Sequence, residues 1–206
     1  MSLPSPPLLV ISDRSQAKRP LLDIAEAVFR AGGRWFSLRE KDMDAAARAE
    51  LLRHLVTLGR RYDAKVTIHD DLAAAQACGA DGVHLPSAGD PAAGRKHLPR
   101  GLIGVSAHSP AEAAAQIAGG ADYATLSPIF LTASKPGYGP AVGLTTLADA
   151  ALQAPGRIVA LGGIAEHNLR DCLRAGAAGV AVMGEVMRAD DPGGAVARLI
   201  ELLEER

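Results

Sequence analysis

Arg39 and Lys41 stand two residues apart in "SLREK" (37–41), directly after an apolar run that begins Trp35-Phe36. Side chains alternate along an extended chain, so the two cations share a face, and a solvated loop accounts for Glu40 between them. Paired cations on one face suit an anion of several charges, and arginine can grip phosphate oxygens with a bidentate fork. Asp70, in "HDD" (69–71), fits the same chemistry differently. A bare phosphate would be repelled by it, but Mg2+ carrying a phosphate would not, since Mg2+ takes one or two carboxylates beside phosphate oxygens and waters. The local alternative for Asp70 is an N-cap on a helix starting near Leu72. Lys135 lies in a long loop (128–143) rich in Gly and Pro, from which it can reach the same place.

Two glycine motifs point to a second phosphate. "ALGGI" (160–164) and "AVMG" (181–184) put Gly162, Gly163 and Gly184 where backbone N–H groups can approach an anion closely. Either motif alone is better explained as a packing glycine at a turn. The two together carry weight through their position in the fold.

The elements that must position these residues form one repeated theme. Eight apolar runs, "LLVISD" (8–13), "RWFSLREK" (34–41), "AKVTIHDD" (64–71), "DGVHLP" (81–86), "LIGVSAHS" (102–109), "DYATLSPIF" (122–130), "RIVALGG" (157–163) and "AGVAVMG" (178–184), are each followed by a helical stretch. The stretch after the fourth, "DPAAGRKHL", is weak. Strands alternating with helices imply parallel pairing through right-handed crossovers, and eight such units imply a single-domain (β/α)8 TIM barrel. The expected division is a flexible leader, 1–7, and a barrel domain, 8–206. A doubly wound open sheet is the structural alternative, but no GxGxxG follows the first strand. In a barrel, chemistry gathers at the carboxyl ends of the strands. Those ends carry Asp13, Arg39 and Lys41, His69 and Asp70, His84, Ser106 and His108, Ser127, Gly162-Gly163 and Met183-Gly184. The glycine motifs fall on strands seven and eight, where barrels commonly bind phosphate.

Composition narrows the partners. The chain has 206 residues, 48% hydrophobic, with net charge −1 and 3% aromatics, so it has neither the basic footprint nor the stacking platforms of a nucleic-acid binder. No apolar run reaches the roughly 18 residues of a membrane span, and "MSLPSPPLLV" lacks the basic and long apolar regions of a signal peptide. A soluble, cytoplasmic protein acting on phosphorylated small molecules is expected, with a homo-oligomer as one assembly. Cys78 and Cys172 lack metal-site spacing and read as buried thiols. His54, His97 and His167 read as surface residues. No zinc spacing and no GxSxG is present.

On these residues the chain resembles the thiamine-phosphate synthase/thiazole tautomerase family along most of its length. "SLREK" matches the family's QxREK, "HDD" its NDD, "ADGVH" (80–84) stands unchanged, "GVSAHS" (104–109) matches GVSxH, and "SPIFLTASK" (127–135) matches GPIFPTxTK; "LGGI" and "AGVAVM" complete the order. The resemblance implies that synthase members join hydroxymethylpyrimidine diphosphate to a thiazole phosphate. It assigns Arg39, Lys41 and Lys135 to the diphosphate, Asp70 to Mg2+, Ser106 to the pyrimidine and leaving group, and Thr132, Ser134, Gly163 and Gly184 to the thiazole phosphate. Ser37 and His69 take the positions of the family's Gln and Asn, as substrate-binding residues. Gly89 stands where the family has a second metal carboxylate. Asp90, next to it, reads with Pro91 as a helix N-cap. "HLPS" (84–87) is closer to the tautomerase branch, while Pro128 occupies the place of that branch's catalytic His. The alternatives are therefore a thiazole tautomerase and a non-catalytic binder of thiazole or thiamine phosphate.

Overall fold

The strand-forming runs are continuously apolar because both faces of each strand are covered. The computed structural model describes residues 2–131 and 140–205. Its strands are β1 (Leu8–Ile11), β2 (Trp35–Leu38), β3 (Lys65–His69), β4 (Gly82–Leu85), β5 (Leu102–Ala107), β6 (Tyr123–Leu126), β7 (Ile158–Leu161) and β8 (Gly179–Val182). They pair in chain order, all parallel, and β8 pairs back with β1 to close a barrel. Around them run α1 (Leu21–Arg30), α2 (Ala45–Arg61), α3 (Leu72–Cys78), α4 (Pro91–His97), α5 (Pro110–Ala118), α6 (Gly143–Gln153), α7 (Leu169–Arg174), α8 (Gly184–Met187) and α9 (Pro192–Glu204). This is the (β/α)8 barrel expected from the alternation.

Two elements differ from the sequence reading. The weak stretch after the fourth strand is a helix, α4, whose Asp90 side chain accepts from Ala92 N ahead of Pro91 at the first turn. A good cap offsets the poor helix propensity of Gly94. The last unit has a separate short helix, α8, before the longer α9.

Alternation divides the core. Outward residues such as Leu8, Val10, Phe36, Leu38, Val66 and Ile68 pack under the helices. Inward residues Leu9, Ile11, Trp35, Leu102, Tyr123, Val159 and Ala181 fill the barrel. Trp35 and Tyr123 meet edge to face, ring centroids 4.7 Å apart. Of the segment before β1, Leu3 packs against this inner cluster and Pro7 O accepts from Val180 N. Cys172 is buried; Cys78, expected to be buried, is only half-buried, with Sγ near Ala49 O. His54, His97 and His167 are exposed. Among the described residues no helix is long and apolar enough to cross a membrane.

Gly104 faces the Tyr123 ring so closely that a Cβ there would fall inside the phenol. Gly104→Ala should therefore cost about 1–3 kcal/mol in urea unfolding, the usual penalty of overpacking.

Candidate functional site

The carboxyl ends of the strands enclose a cavity of about 470 Å3 lined by Ile11, Arg39, Glu40, Lys41, Arg48, His69, Asp70, His84, Pro86, Ser87, Ser106, His108, Ser127, Leu161 and Met183. Its cationic side begins where β2 stops at Leu38, so Arg39–Lys41 belong to the loop beyond the strand. Strand alternation therefore does not aim the two cations; another residue does. Glu40, read from sequence as solvated, is buried: its side chain is 2% exposed. It accepts from Ser12 Oγ at 2.6 Å and from Arg14 N at 3.2 Å. Ser12 Oγ in turn accepts from Arg39 N at 2.9 Å. One carboxylate thus ties the loop after β1 to the loop after β2 and fixes the backbone that carries both cations. The signal for this lay in Ser12, a polar residue ending an apolar strand.

Among the described residues, neither the half-buried Arg39 guanidinium nor the exposed Lys41 ammonium makes a hydrogen bond or ion pair. Both are left to a ligand. Arg48, overlooked in the sequence because it sits in an amphipathic helix, adds a third cation to the wall. It is 2.8 Å from Asp71 across the α2–α3 gap.

Capping decides between the neighbouring aspartates. Asp71, not Asp70, is the N-cap of α3 and accepts from Ala74 N. Asp44, Asp90 and Asp191 likewise cap α2, α4 and α9. Asp70 takes a left-handed backbone, φ 52°, tolerated by Asp, and this exposed residue lines the same cavity as the cations. No cluster of three His, Cys, Asp or Glu among the described residues could hold a metal by protein ligands alone. With Glu40 held by Ser12 and Arg14, and Asp90 serving as a cap, Asp70 is the carboxylate available to Mg2+. A single carboxylate fits Mg2+ that would arrive with a diphosphate, since such an ion takes its remaining ligands from phosphate oxygens and waters.

The floor is polar and buried. His84 is 1% exposed; its Nδ1 is 3.0 Å from Tyr123 Oη and its Nε2 3.0 Å from Ser106 Oγ and 3.4 Å from Thr125 Oγ1. Burial first, then the Arg39 charge, lowers the His84 pKa to about 3, so the ring is neutral. Burial pushes the Tyr123 phenol well above its ordinary value. His69 stacks on His84 with centroids 4.6 Å apart. His108 Nδ1–H donates to Ser127 O at 2.9 Å, and a capping box on α5, with Ser109 Oγ accepting from Glu112 N and Glu112 accepting from His108 N, sets its backbone. Asp13, at the end of β1, is half-buried, which would raise its pKa; hydrogen bonds from Ser15 and Gln16 and the Arg39 charge bring it below the ordinary value.

Of the residues picked from sequence, Arg39, Lys41, His69, Asp70 and Ser106 meet in this cavity. Ser37 does not: it is fully buried one layer below Arg39, in register with Thr67. Thr132, Ser134 and Lys135 lie outside the described residues. Gly162 and Gly163 follow Leu161, on the cavity wall, with φ of 101° and 66°. The space a Cβ would need there is taken by the chain of the 128–131 segment. A Cβ at Gly162 would lie 2.8 Å from Pro128 Cα, and one at Gly163 2.6 Å from Leu131 O. Phe130 N donates to Gly162 O and Asn168 Nδ2 to Gly163 O, pinning the turn. Gly184, past Met183, opens α8 and lies against the Arg188 guanidinium.

The arrangement defines a (β/α)8 barrel with cations lining the mouth at the carboxyl ends of its strands. The family described as thiamine monophosphate synthase matches residues 8–186. A thiamine-phosphate synthase of Roseiflexus castenholzii is 36% identical over 200 residues, 96% of this chain and 88% of that protein. One from Archaeoglobus fulgidus is 35% identical over 181 residues, 88% and 86% of the two. The solved thiamine phosphate pyrophosphorylase of Pyrococcus furiosus superposes with a TM-score of 0.87 at 31% identity, covering 96% of this chain and 95% of that one. The chain belongs to the thiamine-phosphate synthase family.

Two outcomes follow from the site. Glu40→Ala leaves Ser12 and Arg14 N without their buried acceptor, so stability in urea should fall by about 1–3 kcal/mol, with Glu40→Gln losing less. His84 is neutral when folded, but its ordinary pKa is 6.5. The unfolded chain therefore binds a proton that the folded one refuses, and stability falls as pH drops from about 6.5 toward 3. A pH series of unfolding curves should show a shallower acid loss in His84→Gln than in the parent.

Proposed function

We propose that this chain is a thiamine-phosphate synthase, a transferase that joins hydroxymethylpyrimidine diphosphate to thiazole phosphate and releases diphosphate, in the cytoplasm. The observation that carries the reading is that two cations without a partner among the described residues, Arg39 and Lys41, line one cavity with Asp70, which caps no helix. An anion of high charge density with a divalent cation suits that arrangement, and a lone monophosphate does not need it.

In this reading Arg39, Lys41 and Arg48 take the diphosphate, with Lys135 joining from loop six. Asp70 would hold Mg2+, whose charge would offset that of the departing diphosphate. The bond between the pyrimidine methylene carbon and the diphosphate oxygen breaks, and its electron pair leaves with the oxygen. The thiazole nitrogen lone pair then forms the new bond to that carbon. The cations contribute by stabilising charge that grows on the leaving group, in a site already organised before reaction. The N–H groups of the Gly162-Gly163 turn and the start of α8, with Thr132 and Ser134, receive the thiazole phosphate and hold its ring in line with the carbon. The tautomerase alternative lacks an acid–base group where that branch has its histidine, since Pro128 is buried there.

Supplying both substrates with Mg2+ should yield thiamine phosphate and diphosphate. Arg39→Met should lower kcat/KM by roughly a hundredfold or more, the scale for losing one donor to a developing anion, while thiazole phosphate still binds in calorimetry. Asp70→Ala should be nearly inactive and Asp90→Ala within a few-fold of the parent. Full activity of Arg39→Met, or turnover of thiazole carboxylate phosphate without the diphosphate, would overturn the assignment.

A further inference from the structure

We propose that Tyr123 and His84 form a positioning pair that fixes the Ser106 hydroxyl as a hydrogen-bond donor to the substrate. The proposal rests on the reading of the cavity as the substrate site. Its physical basis is a hydrogen-bond count inside the barrel. Tyr123 is fully buried, and a buried phenol needs an acceptor for its hydrogen. Among the described residues that acceptor is His84 Nδ1, 3.0 Å from Oη. Nδ1 then carries no hydrogen, and a neutral imidazole with one N–H must carry it on Nε2. Nε2 faces Ser106 Oγ at 3.0 Å and Thr125 Oγ1 at 3.4 Å, so it donates toward hydroxyl oxygens. Ser106 Oγ accepts that bond, and its own hydrogen is released into the cavity it lines.

The opposite tautomer fails on the same count. With hydrogen on Nδ1, the phenol oxygen would accept from the ring and its own hydrogen would find no acceptor among the described residues. Ser106 would spend its hydrogen on Nε2 and present only lone pairs to the cavity. Packing holds the chosen state: Gly104 leaves the space that the Tyr123 ring fills, Trp35 braces that ring edge-on, and His69 covers the imidazole. A buried tyrosine hydroxyl, two hydrogen bonds from the Ser106 oxygen by way of His84, thereby selects for a ligand atom that can only accept. A diphosphate oxygen and an unprotonated pyrimidine nitrogen both meet that requirement, and an N–H or O–H at the same place does not.

The test reads the tautomer directly, without substrate. In protein labelled with 15N-histidine, His84 should show a protonated Nε2 and a bare Nδ1, distinguishable by two-bond couplings to the ring protons. Tyr123→Phe removes one oxygen and keeps the ring, and should shift His84 toward Nδ1–H. The same variant should lower kcat roughly tenfold, on the scale of one misdirected hydrogen bond, with KM for thiazole phosphate unchanged. The double variant Tyr123→Phe/Ser106→Ala should be no slower than Ser106→Ala, because the tyrosine acts only through the serine. A parent spectrum with hydrogen on His84 Nδ1, or losses that multiply in the double variant, would overturn the proposal. If the parent makes no thiamine phosphate yet shows the Nε2–H tautomer and its loss in Tyr123→Phe, the pair stands and the functional reading falls.

Discussion

Closure of the sheet between β1 and β8 is the constraint on which everything else depends. Once Leu8–Val10 pair with Val180–Val182, no strand edge remains and every second side chain is committed to a narrow interior. That interior has a polarity gradient. Apolar and aromatic residues fill the lower part, Ser37, Thr67, His84 and Thr125 form a buried polar layer above them, and the cations Arg39, Lys41 and Arg48 stand at the carboxyl-end mouth. A charge placed lower would lose its hydration with nothing to replace it. The middle levels of the barrel therefore hold neutral groups, and the cations of the mouth stand above them.

At that end, acidic residues are numerous but mostly committed. Asp44, Asp71, Asp90 and Asp191 cap helices, and Glu40 is enclosed by Ser12 and Arg14. Each carboxylate satisfies orphan N–H groups that a crowded set of strand–helix loops inevitably produces. What survives is a mouth with three cations, one uncommitted aspartate and a neutral histidine floor. The cavity lining carries Arg39, Lys41 and Arg48 against Glu40 and Asp70, in a chain whose net charge is −1.

The site also shows two ways of holding a side chain still. On the cationic side, a buried carboxylate fixes backbone and leaves the guanidinium and ammonium free to meet a ligand. On the floor, a chain of neutral hydrogen bonds fixes the direction of a proton. The first is strong because it is charge-assisted and screened from water. The second is directional because each group in it has a limited number of hydrogens.

Much of this was legible in the residues alone. The alternation of eight apolar runs with helices determined the barrel, because continuous hydrophobic strands demand cover on both faces and parallel pairing demands crossovers. The order of the strands then determined which ends carry chemistry, bringing Arg39, Lys41, His69, Asp70 and Ser106 to one cavity. Other assignments depended on distances between residues far apart in the chain. Glu40 is surrounded by charge in sequence, and only its contact with Ser12, 28 positions away, makes it a buried anchor. Ser37 alternates correctly to face inward, but depth along the barrel axis, which a sequence pattern does not encode, places it beneath the site. The choice between Asp70 and Asp71 as the cap turned on which carboxylate reaches Ala74 N, and Arg48 was indistinguishable from any solvated helix arginine until α2 was set beside α3. Sequence periodicity determined which face each residue occupies; tertiary structure decided its height, its neighbours and hence its charge environment, because those depend on the packing of the whole closed sheet.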